Sequence, residues 1–386
     1  MDSYLERGVS WDKSDLHTII AKYEQGLRPK TFCKILPDLG DKSGKNAFIM
    51  HSDTAGTKPI IAYLYWKETG DISVWEGIVQ DALVMNLDDI GCAGVCNHLA
   101  FTCTIARNRF RIPSEVLEVL IASSYKWIDK LASWNIEVAH AGGETADVAD
   151  IVRTLDIGFT VAARAPLNQI KEIHLHPGQV IIGVASFGQT KFEQEYNSGI
   201  GCNGLTNARH DLLNKTYAQN YPESFEGQLP YELVYAGKNN LLDPLPETPL
   251  NIGKALLSPT RIYMPVLKLM WENYRDDIGG VIHCTGGGQT KCLRFAQGVH
   301  ILKDNLFATP PIFRVIQQTV SISWKNMLQT YNMGHRLEIY THMHAAVEII
   351  ALFQEFGYQA QIIGAVQPPK PNKTLTILYN GESYEW

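Results

Sequence analysis

The first half of the chain alternates short apolar runs with segments in which apolar residues recur every three or four positions. The run from Ala47 to His51 predicts a strand, and the spacing over Val74 to Ile90 predicts an amphipathic helix. Pro113 and Ser114 begin a longer helical pattern that reaches Trp134. The stretch NIEVAHAGGET predicts a short strand that enters a glycine turn, and RTLDIGFTVAARA predicts a long strand.

A polar, proline-containing stretch from Ala165 to Gly178 separates these elements from a second series. That series starts with the strand QVIIGVAS, continues with a helix near Asn203 to Gln219, and crosses a long connection from Tyr221 to Pro249. Further elements are predicted at PTRIYMPVLKLMWENY (helix), GGVIHC, QAQIIGAV and TLTILYN (strands). The alternation predicts an α/β (α+β) protein of two domains, residues 1–169 and 170–386, and 386 residues are long for a single core.

Composition narrows the function classes. With 45% apolar and 19% charged residues the chain suits a globular enzyme, and a net charge of -6 argues against nucleic acid as its main partner. The start, MDSYLERGVSWDK, lacks the basic end and apolar core of a secretory signal, and no stretch approaches the roughly 20 apolar residues of a membrane span. Seven cysteines without a C-x-x-C pair predict reduced, mostly buried thiols. We therefore expect a cytoplasmic protein without membrane partners.

Four stretches place acids or glycines where a strand or helix ends, which is where α/β folds assemble ligand sites. They are Asp53 to Lys58, Asp88 to Gly94, Gly142 to Asp147 and Thr285 to Gly288. The first is not a P-loop, because its order is Gly-Thr-Lys and His51 stands where the first glycine belongs. It still offers Asp53 for a metal ion, a turn with exposed N–H groups, and Lys58 for a phosphate.

The acidic stretches favour a bound cation. Asp88 and Asp89 end a helical segment that carries Asp81 one face-period earlier, and carboxylates at a helix C-terminus are unfavourable unless a cation offsets them. Glu144 and Asp147 add carboxylates from another loop, and magnesium prefers oxygen ligands and bridges substrate phosphates.

Glycines and histidines complete the candidate chemistry. The glycines of TGGGQTK are typical of an anion nest, and Gln289 is predicted to start a helix. His283 on the preceding strand is either an acid or base or a core histidine. The remaining histidine pairs, His174 with His176 and His342 with His344, lack partner ligands nearby in sequence and are interpreted as surface or satisfied side chains rather than zinc ligands.

With these stretches identified, the chain resembles the aminoimidazole ribonucleotide synthetase family, also called phosphoribosylformylglycinamidine cyclo-ligase, of purine biosynthesis. The matching stretches occur in family order: YLERGV near the start, then SDTAGTK, GGETAD, LLSPTRIY and HCTGGG. Pro-Thr-Arg-Ile-Tyr is the most discriminating, because thiamine-monophosphate kinase and selenophosphate synthetase resemble the acid loops without carrying that pentapeptide as a rule.

The resemblance implies two domains, of which the first pairs in a homodimer through a shared β-barrel, with ATP and magnesium near the acid loops. It also implies a reaction in which ATP activates the formyl-derived amide oxygen of formylglycinamidine ribonucleotide, and a ring nitrogen then displaces phosphate to close the imidazole. By carry-over, the metal candidates are Asp53, Asp89 and Glu144, and the other nucleotide contacts are Gly56, Thr57, Lys58, Gly142 and Gly143. The substrate-phosphate candidates are Asn203, Gly204, Thr285, Gly286, Gly287 and Gly288, with Arg261 close to them or shaping the loop. Lys58 and His283 are the catalytic candidates.

The chain also departs from the family pattern. The segment before the first acid loop is glycine-rich in the family, but here it is FCKILPDLGDKSGK, with only Gly40 and Gly44. Where the family has Asn-Asp, this chain has Asp88-Asp89. The substrate loop SFGQTKFEQEYNSGIGCNG is longer and has Gly201 and Cys202 where the family has histidine and serine. NMGHRL places His335 and Arg336 in a glycine strand.

Three functions remain open from the sequence: a divergent cyclo-ligase, another ATP-using enzyme of the superfamily with a different small substrate, and a nucleotide-binding scaffold without catalysis. Intact Asp53, Asp89 and Glu144 argue against the scaffold, because a protein that handles no metal-nucleotide has no need to gather repelling carboxylates.

Overall fold

Two mixed sheets with helices form the protein, as the sequence predicts for its fold class. The computed structural model describes residues 6–9, 18–20, 22–320 and 322–386. Tyr4 and Leu5 of the opening stretch YLERGV lie outside the described residues. Within the described ranges, no helix has the length and apolar character needed to cross a membrane.

The first sheet has five strands in the order β1-β2-β5-β3-β4. Its strands are β1 (Ile35–Pro37), β2 (Asn46–Thr54), β3 (Leu99–Arg107), β4 (Val138–Asp147) and β5 (Leu155–Pro166). All neighbours are antiparallel except β3 and β4, which are parallel. Buried and more exposed residues alternate along β3 and β5, so one face of the sheet packs on the core.

Three helices follow the strands of this sheet: α1 (Lys58–Thr69), α2 (Val74–Cys92) and α3 (Ser114–Ser133). Helix α2 packs on β2 and β5 and also contacts elements of the second half of the chain. Most of its 19 residues are buried, so the prediction of an amphipathic helix was wrong about its environment. A helix enclosed on all sides presents its polar residues to protein rather than to water.

The glycines of GGETAD lie inside strand β4 and not in a turn after it, so the predicted glycine turn was wrong. A Cβ on Gly143 would lie 2.0 Å from the carbonyl oxygen of Cys103 on the neighbouring strand, so only glycine permits this approach. Gly142 has a φ of +87°, and the register of β3 and β4 shifts at this point. The glycines therefore form an irregularity in an edge strand.

The second sheet has seven strands in the order β12-β11-β8-β10-β6-β9-β7. They are β6 (Val180–Ala185), β7 (Ile278–His283), β8 (His300–Lys303), β9 (His335–Thr341), β10 (Ala360–Gln367), β11 (Leu375–Tyr379) and β12 (Glu382–Glu385). Only β8 and β11 pair in parallel. The first sheet ends at Pro166 and this one begins at Val180, although the division into domains at 169 and 170 stays a prediction.

The helices of the second half are α4 (Leu205–Leu212), α5 (Thr216–Asn220), α6 (Ile252–Leu257), α7 (Met264–Tyr274), α8 (Pro311–Val320), α9 (Trp324–Thr330) and α10 (Met343–Glu355). The helix predicted near 203–219 is thus two helices, and the helix predicted from Pro259 begins only at Met264. The connection 221–249 contains two single 3-10 turns, Pro222–Ser224 and Tyr231–Leu233. All seven cysteines are free, and only Cys202 is not fully buried.

A buried histidine in α4 makes stability depend on pH. His210 is fully buried, its Nδ1 accepts the N–H of Tyr235 at 3.2 Å, and burial together with the charges of Arg209 and Arg7 lowers its pKa to about 2. Below about pH 6.5 His210 is protonated in the unfolded chain but stays neutral in the folded chain. Protonation therefore favours the unfolded state, and the free energy of unfolding decreases as the pH falls. We expect H210Q to reduce the loss of unfolding free energy between pH 7 and pH 4.5, by up to about 1.4 kcal/mol per pH unit. Urea titrations measure the slope, and exposed His176→Gln should leave it unchanged. Equal slopes for the wild type and H210Q contradict this account.

Candidate active site

Helix α2 carries three aspartates into the junction between the elements of the two sheets. Asp81 and Asp88 are seven residues apart, which places them two turns apart on one side of the helix, while Asp89 points about 100° away. All three side chains are buried. Each has different partners, and the partners decide which acid is available for chemistry.

Asp81 forms a buried ion pair with Lys58 at the start of α1. The Nζ atom of Lys58 lies 2.9 Å from Asp81 and also donates to the carbonyl of Ser258 at 2.6 Å. Asp81 accepts in addition from the backbone N–H and the hydroxyl of Thr260, at 2.7 and 2.8 Å. Lys58 has no exposed surface, so in this structure it does not reach toward a phosphate as the sequence suggested. Its side chain joins α1, α2 and the segment that contains Pro-Thr-Arg-Ile-Tyr.

Asp88 holds the beginning of α7 and is not a free metal ligand. Its carboxylate accepts the backbone N–H of Tyr263 at 2.9 and 3.0 Å and that of Met264 at 2.8 Å. These N–H groups belong to a helix start, where a carboxylate is favourable. Burial raises the pKa of Asp88 well above its ordinary value, and the N–H bonds offset only part of that effect. The expectation that a cation compensates Asp88 at the end of α2 is therefore replaced by a hydrogen-bonded cap.

Asp89 bridges two histidines from different sheets. One oxygen lies 2.7 Å from Nδ1 of His283 at the end of β7, and the other lies 3.3 Å from Nε2 of His51 on β2. Burial raises the pKa of Asp89, but the two histidines and Lys291 together hold it below its ordinary value. Burial lowers the pKa of His283, and among the described residues its Nε2 has no hydrogen-bond partner. The result is a buried carboxylate that fixes the orientation of two imidazoles.

The orientation of His51 follows from its second contact. Its Nδ1 lies 2.8 Å from Oδ1 of Asn86, and the amide nitrogen of Asn86 donates to the carbonyls of Ala82 and Phe159. Because the amide nitrogen is engaged as a donor, Oδ1 is the acceptor, and Nδ1 of His51 carries a proton. His51 is partly exposed, with a side-chain exposure of 23%.

The structure places Asp53 near this bridge and Glu144 away from it. Asp53 lies two residues after His51 on the same strand face, roughly 7 Å along β2, and is partly exposed. Glu144 on β4 pairs across the sheet with Thr104 on β3, which pairs with Gly158 on β5, which pairs with Thr54 on β2. Glu144 is therefore three strands, about 14 Å, from the strand that carries Asp53, and it is exposed. It lies on the sheet face opposite α2. One chain therefore does not assemble Asp53, Asp89 and Glu144 into a single metal site.

Arg261 shapes the loop that precedes α4, which was one of its two predicted roles. Its Nε and Nη2 atoms donate to the two oxygens of Glu193, at 2.9 and 2.6 Å. Its Nη1 donates to the carbonyls of Ala185 and Phe187, at 3.1 and 2.6 Å. The Nε, Nη1 and Nη2 atoms of this buried guanidinium already donate to protein acceptors. Arg261 therefore has no pair of N–H groups left to bind two oxygens of a phosphate.

The two predicted substrate-phosphate stretches meet at Tyr331. The Tyr331 hydroxyl donates to the carbonyl of Gly204 at 3.3 Å, and a Cβ on Gly288 would lie 2.4 Å from the Tyr331 carbonyl oxygen. The hydroxyl of Thr206, in α4, lies 2.9 Å from the hydroxyl of Thr57 in the first acid loop. This contact connects the first acid loop to the helix that follows Asn203. The structure thus brings together residues that are 127 and 149 positions apart in sequence.

Similar proteins agree with this architecture. Residues 35–165 match the family described as AIR synthase related protein, N-terminal domain. The chain is 27% identical over 358 residues to a phosphoribosylformylglycinamidine cyclo-ligase of Alkaliphilus metalliredigens, covering 86% of this chain and 87% of the relative. It is 28% identical over 328 residues to the protein of that name from Methanocaldococcus jannaschii, covering 84% and 79%. Residues 35–165 thus match a domain of the AIR synthase family, and most of the chain is similar to proteins named as cyclo-ligases at below 30% identity.

Solved structures support the same fold. The hydrogenase maturation protein HypE, in complex with ATP, superposes with a TM-score of 0.56 at 15% identity, covering 88% of this chain and 84% of HypE. The protein tt0281 from Thermus thermophilus gives a TM-score of 0.53 at 12% identity, covering 95% and 97%. The chain therefore shares its fold with these proteins, at a level of identity where activity does not follow from the fold.

Sequence reasoning missed a buried polar cluster in the second sheet. Among the described residues, Cys284, His335 and Glu338 form the one group of three potential metal-ligating side chains whose ligand atoms all lie within 4.8 Å. Lys303 is hydrogen-bonded to Glu338 and donates to the Gln289 carbonyl at 2.7 Å. Burial raises the pKa of Glu338, but Lys303 and His335 outweigh it and lower the value to about 2. The ammonium group already supplies the positive charge, so the cluster supports the turn after Gly288 instead of requiring a metal.

The signal for this cluster was present in part. His335 was noted as a departure from the AIR synthase pattern, but nothing in the sequence showed that Lys303 and Glu338 would face it. The roles of His51 and Glu193 were also missed, because each depends on a partner from another element. His51 contacts Asp89, and Glu193 pairs with Arg261.

Proposed function

We propose that this AIR synthase relative is an ATP-dependent cyclo-ligase that converts formylglycinamidine ribonucleotide to aminoimidazole ribonucleotide, with release of ADP and phosphate. The observation that carries the proposal is the bridge of His51, Asp89 and His283 beside Asp53, at the meeting point of both sheets. It supports proton transfer next to a carboxylate that is accessible to a metal-nucleotide. Relatives that bear the cyclo-ligase name align with 86% of the chain, which supports this choice of reaction.

The proposed reaction has two steps. The amide oxygen of the substrate attacks the γ-phosphorus of ATP, so that an oxygen–phosphorus bond forms and the bond to ADP breaks. The substrate's amine nitrogen then attacks the activated carbon, inorganic phosphate leaves with the former amide oxygen, and the nitrogen loses a proton. Holding both ends of one substrate in contact replaces an unfavourable collision with an intramolecular step.

His283 is the proposed acceptor of that proton. Asp89 accepts a hydrogen bond from Nδ1, which leaves the lone pair on Nε2, and the lowered pKa of His283 keeps the ring neutral and able to take a proton. Asp89 then stabilises the imidazolium that forms. His51 shares the same carboxylate and is held by Asn86, so it fixes Asp89 from the other side.

Asp53 is the proposed contact for the magnesium ion that enters with ATP. Asp53 is partly exposed, whereas Asp81 and Asp88 on α2 are enclosed. Gly56 and Thr57 follow it in the turn before α1, and the backbone N–H groups of such a turn donate to phosphate oxygens.

A second candidate is a different ATP-using reaction on another small phosphorylated or amide-bearing substrate. The substrate loop favours this alternative, because Gly201 and Cys202 replace the histidine and serine of the family pattern and Arg336 lies beneath them. A non-catalytic scaffold is less well supported, since it gives no reason for the buried bridge of Asp89.

The deciding experiment supplies purified protein with ATP, magnesium and formylglycinamidine ribonucleotide and detects aminoimidazole ribonucleotide. Product formation that requires all three components supports the cyclo-ligase. ATP hydrolysis with another substrate and no imidazole product favours the second candidate. Nucleotide binding without any ATP hydrolysis leaves only the scaffold.

We propose further that two copies pair through the outer face of the first sheet, the face opposite α2. Met50 on this face is 53% exposed, and its neighbours across the sheet are small or β-branched residues such as Thr160 and Ala162. Such a face packs well against a second sheet. In this dimer Glu144 lies at the interface and not beside Asp53 of its own chain.

A charge placed on this face tests the dimer. We expect M50K to elute as a monomer in size-exclusion chromatography with light scattering, while the wild type has twice the mass of one chain. Met343, which is 55% exposed on α10, gives the matched control, since M343K should remain dimeric. A monomeric wild type or a dimeric M50K protein refutes the proposed interface.

A further inference from the structure

Arg336 lies at the end of the second sheet, under the loop that precedes α4. It follows His335 at the start of β9, its carbonyl accepts the N–H of Cys284 at 2.6 Å, and its side chain is only 1% exposed. A Cβ on Gly201 would lie 2.2 Å from its Nη1 atom, so the loop runs directly over the guanidinium. The residue is therefore adjacent to both predicted substrate-phosphate stretches.

The guanidinium uses only a small part of its donor capacity. Its Nη1 atom donates to the hydroxyl of Thr260 at 3.3 Å, a long bond. Its Nε and Nη2 atoms are buried, and no acceptor in the described part of the chain bonds to either. These two nitrogens point to the same side of the guanidinium and form the fork that grips two oxygens of one anion.

Arg261 shows what this fork looks like when it is filled. There the same two nitrogens bind the two oxygens of Glu193. No carboxylate in the described ranges binds Nε and Nη2 of Arg336 in this way. Burial raises the pKa of nearby Asp88, and the positive charge of Arg336 offsets part of that rise. The carboxylate of Asp88 nevertheless accepts from the backbone N–H groups of Tyr263 and Met264 instead. A buried charge without a paired anion is strongly unfavourable, so the fork is suited to an anion that comes from outside the chain.

We propose that Arg336 binds a phosphate oxyanion of the substrate through Nε and Nη2. The inference rests on the proposed function only in assigning the phosphate to the substrate, because the fork itself is independent of the reaction. A phosphate group offers two oxygens at the spacing that the fork requires. The loop over Arg336 has three glycines with positive φ, Gly199, Gly201 and Gly204, and Cys202 within it is partly exposed. Displacement of this short loop admits the phosphate.

Calorimetric titration with inorganic phosphate tests the fork. We expect the R336M protein to bind phosphate roughly 10- to 150-fold more weakly than the wild type, as for the loss of one charge-assisted contact. R336K keeps the charge without the fork and should recover only part of the affinity. R314M is the control, because Arg314 is an exposed arginine paired with Glu247 and should leave phosphate affinity unchanged.

A second variant keeps the test decisive if R336M fails to fold. G201A retains Arg336 but places a methyl group against Nη1, so it should also weaken phosphate binding, while G298A, a glycine with positive φ and open space around it, should not. Equal phosphate affinity in R336M, R336K or G201A and the wild type overturns the proposal. So does acetate that binds the wild type as tightly as phosphate, because the site would then not select a phosphate.

The source of the phosphate is decided by two further ligands. Ribose 5-phosphate binding that falls in R336M, with ATP binding unchanged, assigns the fork to the substrate. The reverse result assigns it to the nucleotide and overturns the substrate assignment. If R336M loses phosphate binding but the wild type forms no aminoimidazole ribonucleotide, the proposed cyclo-ligase fails while the phosphate site stands.

Discussion

Replacement of Lys58 by methionine is expected to lower the free energy of unfolding by about 3–5 kcal/mol, because it leaves Asp81 buried without its positive partner. Methionine fills a similar volume, so lost packing contributes little to this value. Asp81 keeps its two bonds from Thr260, which cannot neutralise its charge. Urea denaturation monitored by fluorescence measures the change.

Two comparisons make the Lys58 result specific. K254M removes a partly exposed ion pair with Asp71, 2.9 Å long, and should cost less than about 1 kcal/mol. The double variant K58M/D81N removes both charges and should recover much of the lost stability. A K58M protein with nearly normal stability but a KM for ATP raised tenfold or more would show that Lys58 contacts phosphate in the working enzyme, as the sequence suggested.

Replacement of Asp53 by asparagine is expected to leave the fold intact and to lower kcat/KM by roughly 10²- to 10³-fold. Asparagine has the same shape and can still accept the N–H of Thr54, which Asp53 accepts at 2.8 Å, so stability should change by less than about 0.5 kcal/mol. The lost group is the charge proposed to meet the magnesium ion of the nucleotide. Steady-state kinetics at increasing magnesium should show partial recovery of activity.

The Asp53 prediction has a matched control in Asp71, an acid in the loop before α2 that pairs with Lys254 outside the proposed site. D71N should retain normal kcat/KM. Full activity of D53N removes Asp53 from the mechanism. An unfolded D53N protein, detected by circular dichroism, contradicts the statement that this carboxylate serves chemistry and not stability.

The sequence predicted the elements of the fold well where the pattern is local. The strands at 46–54, 155–166 and 278–283 and the helices at 74–92 and 114–133 are continuous periodic segments, and their existence was correctly predicted. The predictions failed where tertiary contacts override local preference. Strand β4 continues through Gly142 and Gly143, and Gly143 pairs there with Cys103 of the neighbouring strand, whose carbonyl leaves no room for a Cβ.

The candidate site was predicted less completely than the fold. The approach of Asp53 to the histidine bridge follows from strand alternation, which a sequence displays. The different fates of Asp81, Asp88 and Asp89 do not, because three aspartates on one helix have identical local signals. The partners of the three acids depend on how the 258–264 segment and β7 pack on α2. Asp81 pairs with a lysine, Asp88 binds the start of a helix, and Asp89 contacts two histidines.

The sequence by itself determined the class of fold, the order of the acid and glycine stretches and the resemblance that joins them. The tertiary structure alone decided that Lys58 and Arg261 are internally paired and that Glu144 lies on the opposite sheet face. It also decided that Nε and Nη2 of Arg336 meet no acceptor within the described part of the chain. The physical reason is that periodicity and turn chemistry act over a few residues, whereas the role of a charged side chain is set by the partners that enclose it. Here those partners lie as many as two hundred residues away along the chain.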